Sequence, residues 1–213
     1  MSATFLFPDK SNFPPDMKET ARYLGYSRFV SPDQDVSGLM EKAAREMAEV
    51  MKAQAVFEIF DLAVDEPSSA VGSSSSNTVT LQFADATLQS QDLGRNLADC
   101  QRVALLAATL GPQVDALIRR YSSLNPVYAS ILQATGAMFI EELVDITNSE
   151  IKKIAEAAGL KTKPRYSPGY GDVPLEVQRD FFRLLPCTRI GLTLMDTLIM
   201  APEKSVTAFV GLF

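Results

Sequence analysis

RVALLAATLGP, residues 102–112, is the stretch from which the fold of this chain can be read. Between Val103 and Leu110 only Thr109 interrupts the apolar run, which fits a strand buried on both faces. Gly111-Pro112 turns the chain, and Pro112 suits the first position of a helix reaching about Tyr121. Asn125-Pro126 repeats that start signal for the longest helix, expected to run to Ala158 and stop at Gly159. At 1.5 Å per residue such a helix spans roughly 50 Å and would brace a sheet.

Working toward the N-terminus, Thr78–Phe83 alternates polar and apolar residues, the pattern of a half-buried strand. Ala55–Ala63 is rich in Val, Ile and Phe and reads as a second strand. The two form a hairpin whose tip is the serine-rich segment Ser68–Asn77, a solvated connector. Ser90 caps a short helix to Ala98. Another short helix runs from about Asp16 to Leu24 and ends at Gly25. Ser31-Pro32 opens a stronger helix to about Ala53, with Ser31 as cap, Pro32 in the first turn and Gln34 in the capping-box position. Val36, Leu39, Met40, Ala43, Met47, Val50 and Met51 share one face of it. Residues 1–14, punctuated by Pro8 and Pro14, read as an irregular arm.

The last fifty residues differ in composition. Pro164–Pro174 is a turn-rich loop, and Leu175–Leu185 a short amphipathic helix. Ile190–Leu194, Leu198–Met200 and Ser205–Phe213 read as strands. The pattern predicts one α+β domain over residues 15–213: antiparallel strands with flanking helices, one of them long.

Composition narrows the chemistry. The chain has 213 residues and no histidine, so Ser-His-Asp and Cys-His catalysis and His-bearing zinc sites are excluded. Twenty Lys and Arg against 26 Asp and Glu give a net charge of −6, which argues against a nucleic-acid partner. Cys100 and Cys187 have no Cys-x-x-Cys spacing and read as reduced thiols of a cytoplasmic protein. The start lacks a secretory pattern, and no stretch of about 18 apolar residues predicts a membrane span.

Three groups of residues could carry function. The loop Arg165-Tyr166-Ser167-Pro168-Gly169-Tyr170-Gly171-Asp172 is one. Arg165 offers a planar fork of donors suited to a carboxylate. Tyr166 and Tyr170 offer rings for a purine or a sulfonium cation. Gly169 and Gly171 allow close backbone approach, and Pro168 stiffens the loop. Such a loop can bind a small zwitterion carrying an aromatic base; it could equally be a rigid turn. The second group is Glu141 and Asp145, four residues apart on one face of the long helix. They either face a cation or form a solvated edge, with Asp145 near Lys152 or Asn148. The third is Thr109-Leu110-Gly111-Pro112, where a strand end meets a helix start and free N–H groups could cradle an anion, or where the chain simply turns.

These residues resemble a known family. Arg165–Tyr170, Pro174, the helix through Phe181-Phe182-Arg183-Leu184-Leu185, Ile190-Gly191-Leu192-Thr193-Leu194 and Met200–Val206 are similar to the activation domain of cobalamin-dependent methionine synthase. Upstream, Arg22–Tyr26, Asp92-Leu93 through Cys100, Ala108–Gly111 and Glu141 with Asp145 resemble its free-standing members. The resemblance implies a helmet-like or C-shaped α+β fold around a twisted antiparallel sheet, and binding of S-adenosylmethionine. It implies an accessory role in the reductive remethylation of cobalamin held by a methionine synthase or related corrinoid protein, with a flavodoxin-like or ferredoxin-like electron donor. Arg165 matches the arginine that contacts adenosylmethionine, Gly169 and Tyr170 the loop lining the site, and Glu141 a helix glutamate near the sulfonium. Such a chain would take part in methyl transfer without being a complete methionine synthase. The alternative is a non-catalytic binding or scaffold protein on the same fold, with a different small ligand or none.

Overall fold

The computed structural model describes residues 2–65 and 79–213, so the serine-rich tip at 68–77 lies outside the described residues. In chain order the elements are β1 (Thr4–Leu6), α1 (Met17–Tyr23), α2 (Gln34–Val50), β2 (Gln54–Asp65), β3 (Val79–Phe83), β4 (Ala86–Ser90), α3 (Gln91–Asn96), β5 (Arg102–Thr109), α4 (Pro112–Leu124), α5 (Pro126–Ala157), α6 (Gln178–Leu184), β6 (Thr193–Leu194), β7 (Met200–Ala201) and β8 (Ser205–Leu212). Six strands make one antiparallel sheet, curled into a half-barrel, five of them in the order β4-β3-β2-β5-β8. β1 joins the same edge of β2 as β3 but at the opposite end, Leu6 facing Ala55 and Phe83 facing Leu62. β6 and β7 form a separate small hairpin.

β5 lies between β2 and β8, paired along its whole length on both sides. Its side chains alternate between two cores. Ala104, Leu106 and Ala108 join Phe57 and Val210 beneath the apolar faces of α1, α2, α4 and α5. Val103, Leu105 and Ala107 join Val56 and Phe209 in a second core with Leu93, Phe181, Cys187 and Ile190. That double burial is why the 103–108 run carries no polar residue. α5, with 32 residues, is about 48 Å long and lays Leu132, Phe139, Leu143, Val144 and Ile151 on the sheet. α1, α2 and α4 pack against it. No helix among the described residues is long and apolar enough to cross a membrane.

Several helix starts follow local side-chain chemistry. The Asp16 carboxylate accepts from Lys18 N and Glu19 N at 2.8 and 3.0 Å. Ser90 Oγ accepts from Leu93 N at 3.0 Å, and Asn125 Oδ1 from Tyr128 N at 3.1 Å. Each satisfies amides that a helix start leaves open.

The structure departs from the sequence reading in particular places. α2 starts after Asp33, not Ser31: the Asp33 carboxylate accepts from Val36 N at 2.8 Å, and a charged cap two residues later wins. The N-terminal arm is not irregular throughout, since Thr4–Leu6 adds a strand to the sheet. β4 was not expected. Its turn is Ala84-Asp85 with Ala84 at φ 50°, a conformation normally announced by Gly or Asn. Of the expected strand at Ile190–Leu194, Ile190 ends a 3-10 turn, Cys187–Ile190, Gly191 lies in the left-handed region, and only Thr193–Leu194 form β6.

Candidate functional site

Arg165 is placed by β8. Residues 161–166 run antiparallel to it, with Lys163 N donating to Gly211 O at 2.9 Å and Tyr166 exchanging bonds with Phe209 at 2.8 and 3.0 Å. The expected loop from Pro164 therefore begins as an extra edge of the sheet. From Lys163 to Tyr166 is three residues, whereas from Gly211 to Phe209 is two. One extra residue is accommodated at Pro164-Arg165, where proline has no N–H to pair. The Arg165 side chain reaches α5, where its guanidinium pairs with Glu141 at 3.1 Å and more closely with Asp145. The first two residue groups thus form one cluster. Asp145 pairs with Arg165, whereas Lys152, read as one of its possible neighbours, pairs with Glu156 at 3.8 Å.

The arginine side chain is 25% exposed, Glu141 41% and Asp145 64%. Charges this wet stabilise the fold by about 1 kcal/mol at most. One guanidinium faces two carboxylates, and more acid lies nearby. Burial, then the charges of Asp145 and Asp16, push the Glu142 carboxyl above its ordinary range. Burial, then the charge of Glu141, likewise pushes up the Tyr23 hydroxyl. The sequence reading did not place Tyr23 or Glu142 beside the Arg165 cluster, and the signal for Tyr23 is tertiary: α1 packs across α5.

The loop after Arg165 is tightly built. Gly169 N donates to Val173 O at 2.9 Å, and Val173 N to Tyr170 O at 3.0 Å. Pro168 is buried, Tyr166 half-buried, and Tyr170 stands 68% exposed. Gly169 and Gly171 have φ of 87° and 53°, the left-handed region that glycine tolerates best. A Cβ at Gly171 would collide with the Tyr166 hydroxyl and the Asp92 carboxylate. Burial, then the charges of Asp92 and Asp172, push the Tyr166 hydroxyl up. Asp172 is committed to structure: it accepts from Ser90 Oγ, from Gln91 N at 2.6 Å and from Asp92 N at 3.2 Å. With Ser90 accepting from Leu93 N, the first amides of α3 are satisfied from two parts of the chain.

Thr109 stands apart from this cluster. It is 1% exposed, and its hydroxyl accepts from Ser205 Oγ at 2.8 Å and Gly111 N at 3.2 Å. It faces Ser205, four residues along β8 from the Phe209 that holds Tyr166, or about 13 Å at strand spacing. The Leu110 amide donates to Lys204 O, so the proposed anion cradle has its first two N–H groups occupied.

The cluster offers a fixed guanidinium for a carboxylate, carboxylates for a cation, and the exposed ring of Tyr170 on the adjoining loop. No protein-family model matches the chain, and no curated protein matches it. Among solved structures it is similar to the MetH reactivation domain, determined bound to AdoHcy, with a TM-score of 0.68 and 14% identity over 99% of this chain and 78% of that one. The likeness is one of fold: this chain has the α+β reactivation-domain architecture, with its curled antiparallel sheet and long helix.

Proposed function

We propose that the chain binds S-adenosylmethionine at the Arg165 cluster and serves as an accessory subunit for reductive remethylation of a corrinoid cofactor on a partner protein. The observation that carries this reading is the Arg165–Glu141–Asp145 triad beside the Gly169-Tyr170 loop, set in a reactivation-domain fold. Arg165 would take the ligand's carboxylate, Glu141 and Asp145 its positive charge, and Tyr166 and Tyr170 the adenine. Pro168, Gly169 and Gly171 would give the loop its shape.

The partner would be a methionine synthase or related corrinoid protein in the cytoplasm. An external one-electron donor, flavodoxin-like or ferredoxin-like, would reduce its cobalt(II) to cobalt(I). Cobalt(I) then supplies the electron pair for the new cobalt–carbon bond. The methyl–sulfur bond breaks, and its pair stays on sulfur, leaving the neutral thioether. No proton moves, so the reaction asks of this chain positioning and electrostatics, which need no histidine.

Calorimetry tests the reading: wild type should bind S-adenosylmethionine saturably, and Arg165→Ala at least about tenfold more weakly. Absence of binding by the wild type, with the corrinoid partner present, overturns it. One observation favours the second reading, a non-catalytic protein with another small ligand: Arg165 already has two carboxylate partners. Binding of an uncharged adenosyl compound in preference to S-adenosylmethionine would decide for it.

A further inference from the structure

A cleft of about 770 Å³ opens between α1 and α2, beneath the segment that joins them. Neither Arg165, Glu141 nor Asp145 lines it. Its floor is apolar: Ala21 and Met40 are 8% and 2% exposed, with Met17 beside them. The connecting segment is tied down at both ends. Tyr26 N donates to Ala21 O at 3.0 Å, Val30 N to Ser27 O at 3.0 Å, and Asp33 caps α2. The cleft is therefore built by the backbone.

Its lining carries three carboxylates, Asp16, Glu19 and Glu41, and three cations, Lys18, Arg22 and Arg28, of which ion pairs engage only some. Asp16 is engaged by the amides of α1, Glu19 by Arg22, and Glu41 lies 3.8 Å from Arg45. Lys18 and Arg28 are left with no carboxylate at ion-pair distance among the described residues. Arg28 lies 4.6 Å over the ring of Phe29, which is itself 82% exposed, and the neighbouring Val30 is 57% exposed. An apolar floor and two lining cations without an ion-pair partner among the described residues form a complementary set. The volume falls in the range of roughly 300–1,000 Å³ typical of small-ligand sites.

We propose that this cleft is a second ligand site, for an organic anion with an aromatic body. The body would rest on Met17, Ala21 and Met40, and the anionic group would be met by Lys18 and Arg28. The site is independent of the reading of the Arg165 cluster.

The probe is 1-anilinonaphthalene-8-sulfonate, titrated against the folded full chain by fluorescence. Saturable binding at one equivalent is expected, weakening at high ionic strength. Arg28→Gln and Lys18→Gln should each weaken it about five- to tenfold, while Arg165→Ala binds as wild type does. The uncharged N-phenyl-1-naphthylamine, with the same rings and no sulfonate, should bind at least about tenfold more weakly. Lys18 and Arg28 are exposed, and circular dichroism verifies that each variant keeps its fold. Absence of saturable binding, wild-type affinity in either cation variant, equal affinity for the uncharged compound, or weakening by Arg165→Ala overturns the proposal.

Discussion

Gly171→Ala tests whether the loop beside Arg165 is held by close packing or only by backbone preference. Gly171 sits at φ 53°, where an alanine costs roughly 1–2 kcal/mol. The added Cβ also strikes the Tyr166 hydroxyl and the Asp92 carboxylate. Asp92 can swing away, giving up only an exposed pair with Arg95 at 3.3 Å. Tyr166 cannot withdraw easily, because its backbone is bonded to Phe209 and its ring packs on the second core. Moving it adds about 1–2 kcal/mol, the lower part of the overpacking range. The total is about 2–4 kcal/mol, and at about 2–4 °C per kcal/mol for a chain this long, Tm falls by about 4–16 °C. Gly159→Ala supplies the control: φ is 75°, but a Cβ there meets nothing within 4 Å. It should lose only the backbone share, about 1–2 kcal/mol. Urea unfolding of both variants, with slopes compared to confirm two-state behaviour, measures the difference. Equal losses in the two variants would refute the packing argument.

Two further outcomes follow from the same geometry. Asp172→Ala removes the carboxylate that closes the start of α3 and should cost about 1 kcal/mol near neutral pH. Hydrogen bonds, first from Ser90 and then from the Gln91 and Asp92 amides, hold the Asp172 carboxyl below its ordinary range. Its contribution is therefore fully present above about pH 4 and is lost as pH falls through the lowered folded value. The wild-type and variant stability curves should accordingly converge in acid; curves that stay parallel refute the assignment. The Cys187 thiol is 2% exposed, and burial pushes its pKa up to about 12. Iodoacetamide should leave it unlabelled in the native protein at neutral pH and modify it in concentrated urea, as mass spectrometry can show.

Much of the α+β class was legible because its signals are local. The apolar run from Val103 to Ala108 requires cover on both faces, and the sheet supplies two cores for it. Asp16, Ser90 and Asn125 cap helices because a side-chain oxygen two or three residues from an open amide needs no distant partner. Asn125-Pro126 marked the start of α5, and Gly159 follows its end closely. Arg165, Glu141 and Asp145 were each recognisable as candidates from residue type and spacing.

What brings them together was not in the local sequence. Glu141 and Arg165 are 24 residues apart, and an extra residue against β8 accompanies the arginine's reach to α5. Asp172 closes a helix start 81 residues away, so this residue of the candidate loop serves the scaffold. Thr109 looked available at a strand end, but β8 covers it with Ser205. Thr4–Leu6 becomes a strand only because β2 extends past β3 and leaves an edge to pair. The sequence by itself determined the starts of α1 and α5, the doubly buried strand and the chemistry that a chain without histidine excludes, since those depend on neighbours along the chain. Only the tertiary structure decided which carboxylates meet Arg165, which polar groups are already spent on the fold, and where a second cleft opens, since those depend on partners that the chain brings together from far apart.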